Sequence, residues 1–140
     1  MSQLSPQLKN TDPAQSRPQV LLILKDDLVR GMLQHDLAGH YRITALTKQD
    51  AALKHLAQGS CDALVMDDDL DAFKSIRAYP PGANVPVIMV AATAGKQNML
   101  RALEAGVNDY LMWPPDADVL RARLRLLVAD KQRSDAQQRM

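Results

Sequence analysis

Two rhythms of apolar and polar positions alternate along this chain: short unbroken apolar runs, and longer stretches with apolar residues three and four apart. Val20-Leu21-Leu22-Ile23-Leu24 is an unbroken run that ends in Lys25-Asp26-Asp27, as suits a short strand buried on both faces. Leu28, Met32, Leu33 and Leu37 then recur at helical spacing, with Gly39 placed to close the helix. Residues 41–46 read as a second strand and residues 50–56 as a helix with Ala51, Ala52, Leu53 and Leu56 on its apolar side. A third strand, Ala63-Leu64-Val65-Met66, again runs into acid, Asp67-Asp68-Asp69. A short helix over 72–78, the turn Pro80-Pro81-Gly82 and a fourth strand over 85–90 follow, with Pro86 near the strand start, where its missing N–H matters least. Residues 99–105 are helical up to Gly106, and 109–112 form a brief fifth strand. After Pro114-Pro115, Asp116 can cap a long last helix carrying Val119, Leu120, Leu124, Leu127 and Val128. Beyond Asp130 the pattern turns polar.

Strands alternating with helices imply an α/β fold, a parallel sheet covered on both faces. The functional crevice of such a sheet lies at the carboxyl ends of its central strands. Both acidic clusters fall there. Asp26, Asp27, Asp67 and Asp69 are therefore the candidate pocket for a hard divalent cation held by oxygen ligands, with Mg²⁺ the usual choice in phosphoryl chemistry.

Composition narrows the alternatives. A chain of 140 residues fits one domain. Its formal net charge of +1 gives no global basic excess for nucleic acid, and the low aromatic content of 4% argues against base-stacking platforms. From Arg121 onward there are six basic residues against two acids, but Arg121, Arg123 and Arg125 fall on different faces of a helix, which suits solvation. Residues 1–17 are rich in Ser, Gln and Pro, show no apolar period and read as a disordered leader. They lack the apolar core of a secretory signal, and no apolar run is long enough to cross a bilayer, so a cytoplasmic location and no membrane partner are expected. Cys61 stands alone, and His35, His40 and His55 have no metal-like spacing, reading as surface or helix-end residues.

Three segments resemble one family. Cys61-Asp62-Ala63-Leu64-Val65-Met66-Asp67 is similar to the stretch that leads into the phosphoacceptor aspartate of response regulator receiver domains of two-component signalling. Pro86-Val87-Ile88-Met89-Val90-Ala91-Ala92 resembles the fourth strand of those domains. Ala105-Gly106-Val107-Asn108-Asp109-Tyr110-Leu111-Met112-Trp113-Pro114 resembles their Ala-Gly-Ala-x-Asp-Tyr-Leu-x-Lys-Pro segment, the most specific of the three. The resemblance implies a flavodoxin-like doubly wound sheet of five parallel strands in the order 2-1-3-4-5, helices on both faces. The receiver would occupy 18–131, and 132–140 would be a polar tail beginning a linker.

Carried over residue by residue, the resemblance assigns the phosphoacceptor position to Asp67. The acid pair after the first strand falls on Lys25 and Asp26, or, one residue along, on Asp26 and Asp27. The strand-four hydroxyl position falls on Ala91, the lysine before proline on Trp113, and the switch aromatic on Tyr110. The Trp113–Pro114 peptide is implied to be cis, with Trp113 filling the space of the lysine. Phosphoryl transfer to a carboxylate needs positive charge and donors around the phosphoryl oxygens. Ala91 cannot donate, Trp113 carries no charge, and Lys25 competes with Mg²⁺ for Asp26 and Asp67. Lys25 either replaces the metal or points to solvent. The loop after Asp67 is also about half a dozen residues shorter than the family pattern.

The expectation is an atypical receiver, a pseudo-receiver that is not an enzyme beyond self-phosphorylation on Asp67, with weak or no phosphorylation and Mg²⁺ bound weakly if at all. A phosphorylation-competent receiver using Asp67 and Mg²⁺ is the first alternative, and a small-molecule sensor with an apolar pocket of Trp113 and Ala91 the second. Expected partners are a histidine kinase, a phosphotransfer protein or an output protein, and a second copy across the face of the fourth helix, fifth strand and fifth helix. No helix-turn-helix follows, so nucleic acid is not expected to bind this chain alone.

Overall fold

The computed structural model describes residues 16–59, 61–92 and 95–138. Residues 1–15 of the expected leader lie outside the described residues. Arg17, assigned to that leader, belongs to the fold: its guanidinium donates to Ala38 O at 3.2 Å and its carbonyl accepts from Arg42 Nε at 2.9 Å.

The order of elements is β1 (Gln19–Ile23), α1 (Asp27–Leu37), β2 (Arg42–Leu46), α2 (Gln49–Gln58), β3 (Ala63–Asp67), α3 (Leu70–Ala78), a 3-10 turn (Pro80–Gly82), β4 (Val87–Ala91), α4 (Lys96–Ala105), β5 (Asp109–Met112) and α5 (Ala117–Gln138). The five strands form one sheet in the order β2-β1-β3-β4-β5, every neighbouring pair parallel. Sheet order and layering agree with the architecture expected from the sequence.

Alternate residues of each strand feed two separate cores. Leu21, Leu64, Met66, Val87 and Met89 pack with Ala52 and Leu56 of α2, Phe73 and Ile76 of α3 and Ala102 of α4. Val20, Leu22, Val65, Ile88 and Val90 pack with Leu33 and Leu37 of α1 and Leu120, Leu124 and Val128 of α5. Every residue of β1 and β4 is buried, which explains why both are apolar throughout except for Gln19 at the start of β1.

Helix boundaries follow from local chemistry. Asp26 caps α1, Asp69 caps α3, and Asp116 accepts from the N–H groups of Asp118 and Val119 at the start of α5. α4 ends on Gly106, whose φ of 107° is reached readily only without a Cβ. The last helix does not stop near Asp130. It continues through Gln138, with Lys131–Asp135 and Arg133–Asp130 ion pairs along its polar extension. The tail expected beyond residue 131 is therefore helical over most of its length. Gln19, at the bottom of β1, is buried and held by the Asp62 carboxylate and by Thr44 Oγ1, so the acid that precedes β3 organises the strand entry.

Candidate functional site

Asp67 is the last residue of β3 and is half-buried. β1 and β3 pair with Ile23 beside Met66, so continuing that register by one residue brings Leu24 alongside Asp67. Leu24 is fully buried, and its N–H donates to Leu46 O. The next N–H, that of Lys25, donates to Asp67 Oδ2 at 2.9 Å. The residues abreast of Asp67 just beyond the end of β1 are thus Leu24 and Lys25, one place earlier than the Lys25–Asp26 register and two earlier than Asp26–Asp27.

The remaining acids are spent on helix starts. Asp26 Oδ1 accepts from Leu28 N at 2.9 Å and Val29 N at 3.0 Å. Asp27 lies in the first turn of α1 and pairs with Arg30, whose guanidinium also reaches Leu24 O. Asp69 Oδ1 accepts from Ala72 N at 3.1 Å. The shortened loop is here at its limit, because only Asp68 and Asp69 separate β3 from α3, and Asp69 N–H folds back onto Asp67 O at 2.8 Å.

A cavity of about 190 Å³ opens beside Asp67, lined by Ile23, Lys25, Thr47, Lys48, Gln49, Met66, Asp67, Asp69 and Ala72. Two carboxylates and two ammonium-bearing side chains share it. Lys48 and Thr47 come from the β2–α2 connection and were not singled out in the sequence, where nothing marks them as neighbours of Asp67.

Ala91, the last residue of β4, is fully buried and its carbonyl accepts from Trp113 N–H at 2.7 Å. The Trp113–Pro114 peptide is cis. Trp113 is half-buried and packs against the core shared with α1 and α5. Neither Trp113 nor Ala91 is among the described residues that line the Asp67 cavity. Tyr110, on β5, sends its hydroxyl to Asp68 Oδ2 at 2.7 Å.

Residues 20–125 match the family model of the response regulator receiver domain. The chain belongs to the response regulator receiver family. The receiver is 32% identical over 116 residues to the transcriptional regulatory protein AfsQ1 of Streptomyces coelicolor, covering 79% of this chain and 51% of that protein. It is 29% identical over 112 residues to the chemotaxis protein CheY1 of Helicobacter pylori, covering 76% of this chain and 86% of that one. The chain spans about half the length of the transcriptional regulators it matches. Among solved structures, a putative response regulator from Chloroflexus aurantiacus superposes with a TM-score of 0.76 at 26% identity, covering 81% of this chain and 99% of that one. The receiver domain of the sensor histidine kinase PA1611 from Pseudomonas aeruginosa, which has a magnesium ion coordinated in its active-site cleft, gives 0.73 at 26% identity, covering 81% and 99%.

The residues of this receiver do not fit Mg²⁺. Among the described residues, no three His, Cys, Asp or Glu side chains are grouped so as to hold a metal ion. The pocket expected from Asp26, Asp27, Asp67 and Asp69 does not form as a unit, because Asp26 and Asp27 turn to α1 while Asp69 caps α3. An Asp immediately before an apolar helix is an N-cap signature as much as a metal-ligand signature, and here capping takes precedence. The contact between Lys25 and Asp67 is also made by the backbone N–H, with the Lys25 side chain exposed.

The Tyr110–Asp68 bond has a measurable signature. Burial, followed by the hydrogen bond and negative charge of Asp68, pushes the Tyr110 phenol up to about 12 from its ordinary value of 10. A group whose folded pKa is raised contributes stability that is whole below its unfolded pKa. That contribution is lost as pH rises through the folded value, so receiver stability should fall between about pH 10 and 12. In Asp68→Ala the phenolate absorbance titration of Tyr110 should move part of the way back towards 10, the burial component remaining. An unchanged titration would show that the bond to Asp68 is not made in solution.

Proposed function

We propose that this receiver signals through protein contacts, with weak or absent phosphorylation of Asp67. The observation that carries this reading is the dispersal of the carboxylates. Asp26 is bonded to two α1 backbone N–H groups, and one Asp67 oxygen already accepts from Lys25 N–H. Phosphoryl transfer needs a carboxylate surrounded by cation and donors arranged for three further oxygens. Ala91 offers no hydroxyl and Trp113 no charge at the positions where the family resemblance assigns them. Lys25 and Lys48 supply positive charge in the cavity, but from flexible exposed side chains.

The contact surface we favour is the face of α4, β5 and α5. Leu100 and Leu103 on α4, Met112 on β5, and Val119 and Leu126 on α5 are large apolar side chains left exposed. Val119, Arg123 and Leu126 share one stripe of α5 by helical spacing. Arg123 pairs with Asp109 of β5 at 2.8 Å, which places that stripe beside the strand. Apolar side chains spread over three adjoining elements suit a protein partner: a histidine kinase, a phosphotransfer or output protein, or a second copy of this chain.

Intact-mass measurement tests the phosphorylation half directly. Incubation with acetyl phosphate and Mg²⁺ is expected to leave the mass of the chain unchanged. Stoichiometric addition of phosphate that disappears in Asp67→Asn would overturn the proposal and establish a phosphorylation-competent receiver.

A further inference from the structure

A second, larger cavity of about 450 Å³ lies at the opposite pole of the sheet from Asp67. Its walls come from chain entering the strands, Pro18 before β1 and His40 and Tyr41 before β2, and from the middle turns of α5, with Arg121, Arg125 and Val128. Its size lies within the range of small-molecule sites. Among the described residues, no carboxylate lines it.

Two features point to a ligand. The Tyr41 ring is buried, the residue being only 8% exposed, while its hydroxyl forms no hydrogen bond among the described residues and is accessible from the cavity that Tyr41 lines. Arg125 makes no ion pair or hydrogen bond among the described residues, whereas neighbouring Arg121 is engaged by Asp118 and Asp36 O. The Arg125 charge is nevertheless close enough to act on the Tyr41 phenol, drawing its pKa down against the larger upward effect of burial. An unpartnered hydroxyl on a buried ring and the exposed, uncommitted Arg125 guanidinium therefore face one cavity, with exposed His40 at its edge and the apolar surfaces of Pro18 and Val128 as walls.

We propose that this cavity binds a small organic anion, its carboxylate or phosphate head taken by Arg125 and the Tyr41 hydroxyl and its apolar body lying on Pro18 and Val128. Guanidinium and hydroxyl donors together suit an oxyanion, and charge-assisted bonds of this kind are the stronger class. The site shares no residue with the Asp67 cavity, so it would give this receiver a chemical input independent of phosphate.

Amide chemical-shift titration of the full chain with benzoate, phenyl phosphate and inorganic phosphate tests the proposal and separates the two head groups. Saturable shifts centred on Tyr41, Arg125 and Val128 are expected with benzoate or phenyl phosphate, and weaker ones with inorganic phosphate. Arg125→Gln and Tyr41→Phe should each weaken the aromatic anion roughly tenfold. Tyr41→Phe should leave the Tm unchanged, since the hydroxyl has no partner among the described residues. Shifts scattered over the basic surface, binding retained in Arg125→Gln, or inorganic phosphate binding as tightly as either aromatic anion would each overturn it.

Discussion

Phe73→Ala should lower the unfolding free energy by about 3–5 kcal/mol, the range for removing a buried aromatic ring. Phe73 is the only phenylalanine of the chain and is fully buried in the core between the sheet and α2–α4, among Leu64, Met66, Ile76 and Met89. Its loss removes the transfer free energy of the ring and leaves a cavity whose walls belong to rigid strands, so collapse around it is limited. Urea denaturation followed by the fluorescence of Trp113, the single tryptophan, gives the number directly. Phe73→Leu keeps most of the volume and should cost less than half as much. A loss below about 1 kcal/mol for Phe73→Ala would mean that α3 repacks onto the sheet, contrary to the packing described.

Arg77→Ala should cost about 2–3 kcal/mol, an unusually large effect for a charged residue outside any ion pair. The guanidinium stacks over the Phe73 ring at 4.8 Å. It also donates to Gly82 O at 3.0 Å, Val85 O at 2.6 Å and Asn108 Oδ1 at 3.1 Å. Asn108 Oδ1 in turn accepts from Val87 N at 2.8 Å. One side chain thus ties α3, the 3-10 turn, the entry to β4 and the loop before β5. Gly82 belongs to the same arrangement, since a Cβ there would lie 2.5 Å from Ile76 O. Arg77→Lys should recover little, because an ammonium cannot reproduce the planar fork that spans three acceptors. Full recovery by lysine would show that charge alone matters. Because the ring and guanidinium touch, Phe73→Ala and Arg77→Ala should combine to less than their sum.

The alternation of strands and helices was legible because each strand is buried on both faces and each helix on one, so burial leaves two distinct periods in the sequence. Asp67 was legible for the same reason, as the first polar residue after a buried strand. The acid pair was not. The apolar run Val20 to Leu24 ends one residue after β1 does, so the first polar residue after it, Lys25, lies one place beyond the position opposite Asp67, a difference that only pairing with β3 exposes. Capping a helix and ligating a cation call for the same residue type at the same place, so the sequence does not distinguish them; in the structure Asp26 and Asp69 cap helices and Asp27 pairs with Arg30. Contacts such as Tyr110–Asp68 and Arg77–Asn108 join residues 42 and 31 positions apart, and no local pattern records them. The extension of α5 was missed because beyond Asp130 it is held mainly by polar pairs rather than by an apolar stripe.

The two-residue connection between β3 and α3 bears on how this domain can move. A segment that rearranges needs bonds free to turn, and here Asp69 is fixed by its cap to Ala72 and its N–H to Asp67, while Asp68 is tethered by Tyr110. There is no slack. At the β3–α3 connection a change would therefore be expected as rotation of whole elements or as gain and loss of the Asp68–Tyr110 tether, which couples this connection to β5.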